Sequence, residues 1–323
     1  MKNWQDYLGL IISILAIILL AIWPIISGKP ADREVAFTIL KSLVLASSLN
    51  IILGYTGYVS FGHIVYYGIG GYVGFYLLSE QGSSLWLAML IGGLSSGVVA
   101  YLLGKAILRL RGAYFALATI GVNQAILAFV ANFDLFGGPI GMNLNFNIYQ
   151  DYGGAPQALQ LSFYIMIAAS LATVAVSYLV RTSKFGLGLL AVREDEDAAE
   201  VMGVVAPSTK TWAYVLSAIF PGVVGVVFFF KNGNIQPHDA FPLHTSIELI
   251  VMVMLGGQGT VFGPILGAAG YQRIRGLLLT SPIFKNIQLS VAGALLLLIV
   301  LFVPAGVVGW VRNRFPQTRR VLQ

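Results

Sequence analysis

The chain has 323 residues, 57% of them hydrophobic and only 10% charged, whereas a soluble domain carries about 25% charged residues to face water; its surface must therefore face lipid. With no cysteine, it can form no disulfide, thiolate metal site or cysteine nucleophile. The net charge of +6 sits at the ends of apolar runs, without the aromatic-interleaved basic patch of a nucleic-acid binder, and so reads as orientation in a bilayer.

Crossing about 30 Å of hydrocarbon takes about 20 mostly apolar residues. The first such run, Leu8–Ile26, follows Lys2 and Asp6. It exceeds the core of a signal peptide, about 7–15 residues, and no small-x-small cleavage site closes it. It is predicted to be a retained spanning helix. Including this run, at 8–27, candidate spans lie near 35–54, 64–79, 85–104, 112–131, 161–180, 212–230, 245–262, 264–281 and 286–306. All ten are predicted helical, because lipid cannot satisfy an open backbone. The fold class is an all-α integral membrane bundle of about ten segments. The stretches around 55–70 and 256–270 are rich in glycine and are expected to be broken or re-entrant.

Lysine and arginine placement orients the bundle. Lys2, Lys105, Arg109, Arg111, Arg181, Lys184, Arg193, Lys210, Arg312, Arg314, Arg319 and Arg320 fall on one side; Lys29, Arg33, Lys231 and Lys285 fall on the other. Lys41, Arg273 and Arg275 lie inside apolar runs and belong to neither set. The positive-inside rule makes the first side cytoplasmic, with both termini there. Residues 132–160, rich in Asn, Gly and Pro, become an outer connection, and residues 181–211 a charged cytoplasmic loop. The whole chain reads as one transmembrane domain, without a soluble domain or low-complexity segment. One internal echo stands out: Leu53–Gly62 resembles Leu255–Gly263 after a one-residue gap, and transporters are often built from repeats with broken helices beside the substrate path. Chance similarity between glycine-rich apolar stretches is the competing account.

The charged loop contains Arg193, Glu194, Asp195, Glu196, Asp197, Ala198, Ala199, Glu200 and Gly203. Acidic residues suit the N-terminal end of a short helix. Small residues on it let a partner approach closely, and Gly203 can end it in a left-handed turn. A plain solvated loop would carry similar charges. Asp197-Ala198-Ala199-x-x-x-Gly203 matches the EAA-x-x-x-G pattern of ABC importer permeases, with Asp for Glu. The wider stretch from Phe185 to Gly203 resembles LivM-type permeases of branched-chain amino-acid importers. So do Gly54–Gly71, Arg109–Gly121, Ser246–Gly267 and the segment from Phe302 to Gly309. These follow the family's order and cover most of the chain from about 35 to 310. Departures are Asp197 and the pair Tyr66-Tyr67, where small residues or phenylalanine are more usual.

The resemblance implies a permease subunit paired with a LivH-like permease, two cytoplasmic ABC ATPases and an external substrate-binding protein in a bacterial inner membrane. It implies ATP and Mg bound by the ATPases, no cofactor or catalysis in this chain, and a branched-chain or other neutral amino acid as substrate. Close relatives of the family also handle urea and other amides. No P-loop is present: Gly97 to Ala106 is one residue too long, has Ala106 for Ser/Thr and lies in an apolar run.

Candidate path residues are Gly57, Ser60, Gly62, His63, Glu248, Gly256, Gly257 and Gly259. Glycine turns can bring main-chain groups to a central cavity, or simply let helices pack tightly. His63 has no convergent partners for a metal and reads as structural or path-lining. Glu248, inside an apolar run, is a functional candidate by default. It could line the path, pair with a basic group or reach water near the outer interface; as a proton or cation site it would instead suit a secondary transporter. Asn50, Asn123 and Gln124 suit hydrogen bonds between helices.

Overall fold

The computed structural model describes residues 8–280, 290, 293, 294, 297 and 306–314. The predicted run near 286–306 lies almost wholly outside them. The helices are α1 (Leu8–Ser27), α2 (Pro30–Thr56), α3 (Ile64–Ser79), α4 (Leu85–Ile107), α5 (Ala113–Ala131), α6 (Ala155–Thr182), α7 (Lys184–Glu194), α8 (Glu196–Val201), α9 (Ala206–Asn232), α10 (Pro237–Ala240), α11 (Leu243–Gly256), α12 (Gly263–Thr280) and α13 (Gly306–Arg314). Among the described residues seven helical segments are long and apolar enough to cross a membrane, α10 and α11 counting together as one; α3 is a shorter apolar helix.

α2 is the central helix, buried along most of its length and packed against α1, α6, α9, α11 and α12. α1 and α5 instead turn most of their apolar surface outward. Leu19, Ile26, Leu94, Leu102 and Leu117 are exposed, as lipid-facing positions are. α3, α4 and α9 form the tightest cluster. A Cβ at Gly70 would overlap the backbone of Gly222, and one at Gly225 would overlap the carbonyl of Tyr67. Small residues allow this approach between helices that gain no hydrophobic drive from lipid. Ser96 seals the same contact by donating from Oγ to the Tyr66 carbonyl at 2.7 Å.

Both glycine-rich stretches are breaks, as expected. α2 stops at Thr56 and α3 starts at Ile64; α11 stops at Gly256 and α12 starts at Gly263. The connections share faces in pairs. Two residues of β1 (Met142–Asn143) and two of β2 (Asn234–Ile235) pair antiparallel, joining the 132–154 connection to the 233–242 turn. On the other face, Arg111 from the α4–α5 turn reaches Asp197. Helical structure extends further into both long connections than hydropathy implies. α6 begins at Ala155, α9 at Ala206, and α7 and α8 fill most of what reads as a loop.

Candidate functional site

The α7–α8 segment is built from local caps. Ser183 Oγ accepts from the Gly186 amide at 3.1 Å and starts α7. Asp195, in extended conformation, ends α7 and starts α8 by accepting from the Ala198 amide at 2.9 Å. Glu196 and Asp197 then fill the first turn of α8, where negative charge suits the helix dipole. At the far end, Gly203 at φ +91° closes a Schellman turn. Its amide donates to Glu200 O and the Val204 amide to Ala199 O, both at 3.0 Å.

Ala199 faces inward, buried against Val192 and Ala206, so only Ala198 of the alanine pair is exposed. The outer surface carries Val201, 87% exposed, Met202, 84% exposed, and Val205, beside exposed Glu194 and Glu200.

An ionic cluster holds this segment to the bundle. Lys210, in the first turns of α9, is 2% exposed. Its Nζ donates to Glu196 Oε1 at 2.6 Å, Tyr58 Oη at 2.9 Å and Leu108 O at 3.0 Å. Tyr58 Oη in turn donates to Glu196 Oε2 at 2.8 Å. Three acceptors thus satisfy one buried ammonium, which a single carboxylate would not. Burial pushes the Glu196 carboxyl up, but hydrogen bonds from Lys210 and Tyr58 and the charges of Lys210 and Arg111 hold it below the usual carboxylate range. Arg111 grips both oxygens of Asp197, at 2.8 and 3.2 Å, and its hydrogen bond lowers that carboxyl as well.

Arg193, at the end of α7, reaches both helix breaks. Its Nη1 donates to Gly54 O at 2.7 Å, in the last turn of α2. A Cβ at Gly259 would lie 2.8 Å from that same carbonyl and 2.9 Å from Arg193 Nη1, so the two breaks and the guanidinium meet at one point. Asn50 clamps the arrangement: its Nδ2 donates to Thr260 O and its Oδ1 accepts from the Gly259 amide, each at 2.9 Å. The sequence echo between residues 53–62 and 255–263 therefore corresponds to two broken helices packed against each other.

The path candidates separate into groups. Gly57, at φ +77°, caps α2 by donating to Leu53 O. Ser60 and His63 are fully buried. His63 Nε2 lies 3.2 Å from Ser48 Oγ, and its ring meets Tyr66 edge-on. Gly62 lies against the Thr119 backbone, and Gly256 against the Gly263 carbonyl, with no room for a Cβ at either position. Gly257, at φ +128°, and Gly259, at φ +73°, shape the second break. Glu248 lies apart from both breaks, paired with Arg275 at 2.8 Å. Of the asparagines, Asn123 donates to Phe241 O at 3.2 Å, while Gln124 is exposed. Among the described residues no group of three His, Asp or Glu side chains is placed to hold a metal. Residues 97–106 lie within helical α4 and not in a loop between a strand and a helix, where a phosphate loop sits.

In the sequence, Lys210 and Arg111 read only as orientation charges, and neither Tyr58 nor Gly54 stands out by itself. The one available signal is the position of Lys210 at the start of an apolar run.

Residues 33–300 match the family model described as branched-chain amino acid transport system / permease component. The chain is 26% identical to the high-affinity branched-chain amino acid transport system permease protein LivM of Salmonella typhimurium, over 93% of this chain and 75% of that protein. Its counterpart in Escherichia coli is 27% identical over the same shares. LivH of Salmonella typhimurium is 23% identical over 82% of this chain and 90% of that protein. No solved structure matches. The family match begins in α2 and takes in both helix breaks, Arg193, the α8 segment and Lys210; the chain belongs to this family, and it is a multi-pass membrane permease subunit of an ABC importer rather than an enzyme.

Proposed function

We propose that the chain forms half of a translocation path for a branched-chain or other neutral amino acid across a bacterial cytoplasmic membrane. Both termini and the α7–α8 segment lie inside, and the chain is one transmembrane domain. Its partners are a LivH-like permease, two cytoplasmic ATPases that bind ATP and Mg, and an external substrate-binding protein. The names of its relatives and the twelve-to-four charge bias support this reading.

The observation that carries the coupling role is the construction of α8. It exposes Val201, Met202 and Val205 on a polar face while Glu196 and Arg193 tie it to the interior. Exposed apolar side chains ringed by charge mark a protein contact. A partner ATPase seated there would push on Glu196, and hence on Tyr58 in the first break, and on Arg193, which touches both breaks. The breaks move the path; residues 193–203 receive the stroke. Glu248 takes no part in coupling a proton, since its charge is already neutralised by Arg275.

The test is retention of the ATPase on the purified permease pair. Val201→Asp with Met202→Asp should release it while the permease still inserts, because both side chains are exposed and support no core. Full retention together with normal binding-protein-stimulated hydrolysis would make α8 a solvated loop.

A further inference from the structure

We propose that Lys41 and Asp239 frame an amino-acid subsite on the face opposite α8, Lys41 receiving the carboxylate and Asp239 the ammonium. The subsite rests on the reading of the chain as an amino-acid permease and names where such a ligand sits.

Three cations set among the helices each hold a carboxylate. Lys210 has Glu196 at 2.6 Å, Lys231 has Glu34 at 2.8 Å and Arg275 has Glu248 at 2.8 Å. Lys41 has no carboxylate within 4 Å among the described residues. It lies eleven residues into α2, about 16 Å along the helix axis, and its Nζ meets only ring faces: Phe228 at 4.0 Å and Tyr67 at 5.9 Å. The charges that act on it are those of Arg275, Glu248 and Lys231. Two of these neutralise each other and the third is held by Glu34, so one positive charge is left over. A cation within a membrane bundle that lacks an anion is costly and is therefore a functional residue by default.

The ammonium faces a cavity of about 270 Å3. This lies just below the range of about 300–1,000 Å3 that holds drug-sized ligands, and so suits a small metabolite. Leu45, Ile64, Tyr67 and Phe228 give it an apolar wall. Asp239 stands at the rim, exposed and likewise without a cation within 4 Å among the described residues. One cavity thus gathers a cation, apolar side chains and a carboxylate, the three chemistries that recognise an aliphatic amino acid. Ile64 is the first residue of α3, immediately after the first break, so occupancy here would bear on the segment that α8 reaches from the other side.

The cysteine-free chain allows a direct test in the assembled transporter. Thr245, in the cavity lining, is replaced by cysteine, and its rate of thiol modification is measured with L-leucine, leucinamide or 4-methylpentanoate present. L-Leucine should slow modification at least tenfold at saturation, while leucinamide, which lacks the carboxylate, should not. Lys41→Met should remove the protection and Lys41→Arg should keep part of it. If Lys41→Met does not assemble, the comparison of leucine with leucinamide decides the matter without changing Lys41. Leucine uptake by the complex with no protection at Thr245→Cys, or with protection unchanged in Lys41→Met, would overturn the subsite and leave the amino-acid reading standing. Protection by 4-methylpentanoate equal to that by leucine, with no uptake of leucine, would overturn the Asp239 half and the amino-acid reading together.

Discussion

Arg193 Nη1 donates to the carbonyl of Gly54 at 2.7 Å. The bond joins the end of α7, on the charged face, to the last turn of the central helix α2, 139 positions away in sequence. Gly259 of the second break packs against the same carbonyl, so motion of α7–α8 has a rigid route to both broken helices. The polar cluster around Lys210 supplies a second route, through Glu196 and Tyr58.

Lys210→Met should loosen the α8 anchor. Glu196 keeps Tyr58 and Arg111 and is partly solvated, so the expected loss is about 1.5–3 kcal/mol, the range for a hydrogen bond to a charged group. Thermal unfolding of the purified permease pair should shift down by a few degrees, and stimulated ATP hydrolysis should fall further than basal hydrolysis. Adding Glu196→Gln should recover part of the melting temperature, because a half-buried carboxylate that has lost its closest cation is then removed. Additive losses in the double variant would mean that the two residues do not act as a pair.

Acidification should weaken the same cluster. The carboxyls of Glu196 and Asp197 are both held below their ordinary values. Their contribution is therefore fully present above the unfolded values, near pH 4, and is lost as pH falls through the lower folded ones. Melting curves from pH 7 to pH 3 should stay level from this cluster down to about 4.5 and then decline. Asp197→Asn should reduce the slope of that decline; an unchanged slope would assign the acid sensitivity elsewhere.

The glycines at the breaks should respond to alanine for different reasons. Gly57→Ala meets only an ordinary contact with Arg193 Cγ at 3.4 Å, but must hold φ +77°, at a cost of about 1–2 kcal/mol. Gly256→Ala has helical backbone but overlaps the Gly263 carbonyl, forcing α11 and α12 apart. Folded yield in detergent should drop more for Gly256→Ala than for Gly57→Ala; the reverse order would remove close approach as the reason for Gly256.

Glu248→Gln leaves Arg275 without its partner; because that guanidinium is 28% exposed, the loss should fall below the about 3–5 kcal/mol of breaking a fully buried pair. Lower yield is expected, with Arg275→Gln in the same chain restoring much of it. Uptake per folded transporter should remain, and its ionophore sensitivity should stay that of the parent. Uptake lost to Glu248→Gln at full yield, together with ionophore-sensitive transport in the parent, would assign Glu248 a coupling proton.

Gln150 and Lys184 are both exposed and belong to opposite faces of the bundle. Single cysteines placed there should separate in intact cells: an impermeant thiol reagent should label Gln150→Cys and spare Lys184→Cys. Labelling in the opposite sense would invert the orientation.

The apolar run lengths and lysine and arginine placement were enough to name the class of fold, place nine runs close to the observed helices and mark both breaks, because a spanning helix must satisfy its own backbone and lipid tolerates few charges. The Asp197–Gly203 motif was legible for a similar reason: caps and C-terminal glycines act over three or four residues. What joins these parts was not legible. Glu196 and Tyr58 meet Lys210, and Lys210 meets the Leu108 carbonyl, only because α8, α9, the first break and the α4–α5 turn converge there, and nothing in their local sequence specifies that encounter. Glu248 read equally well as path, ion pair or interface residue until packing set Arg275 beside it. Lys41 could be assigned to neither side of the membrane by charge counting; its surroundings, two aromatic rings and a cavity lined also by Asp239, were decided by the way α2 meets Tyr67 of α3 and Phe228 of α9. Short-range rules fix where the chain is helical and which ends face together, whereas the pairing of buried charges depends on residues brought near by tertiary packing alone.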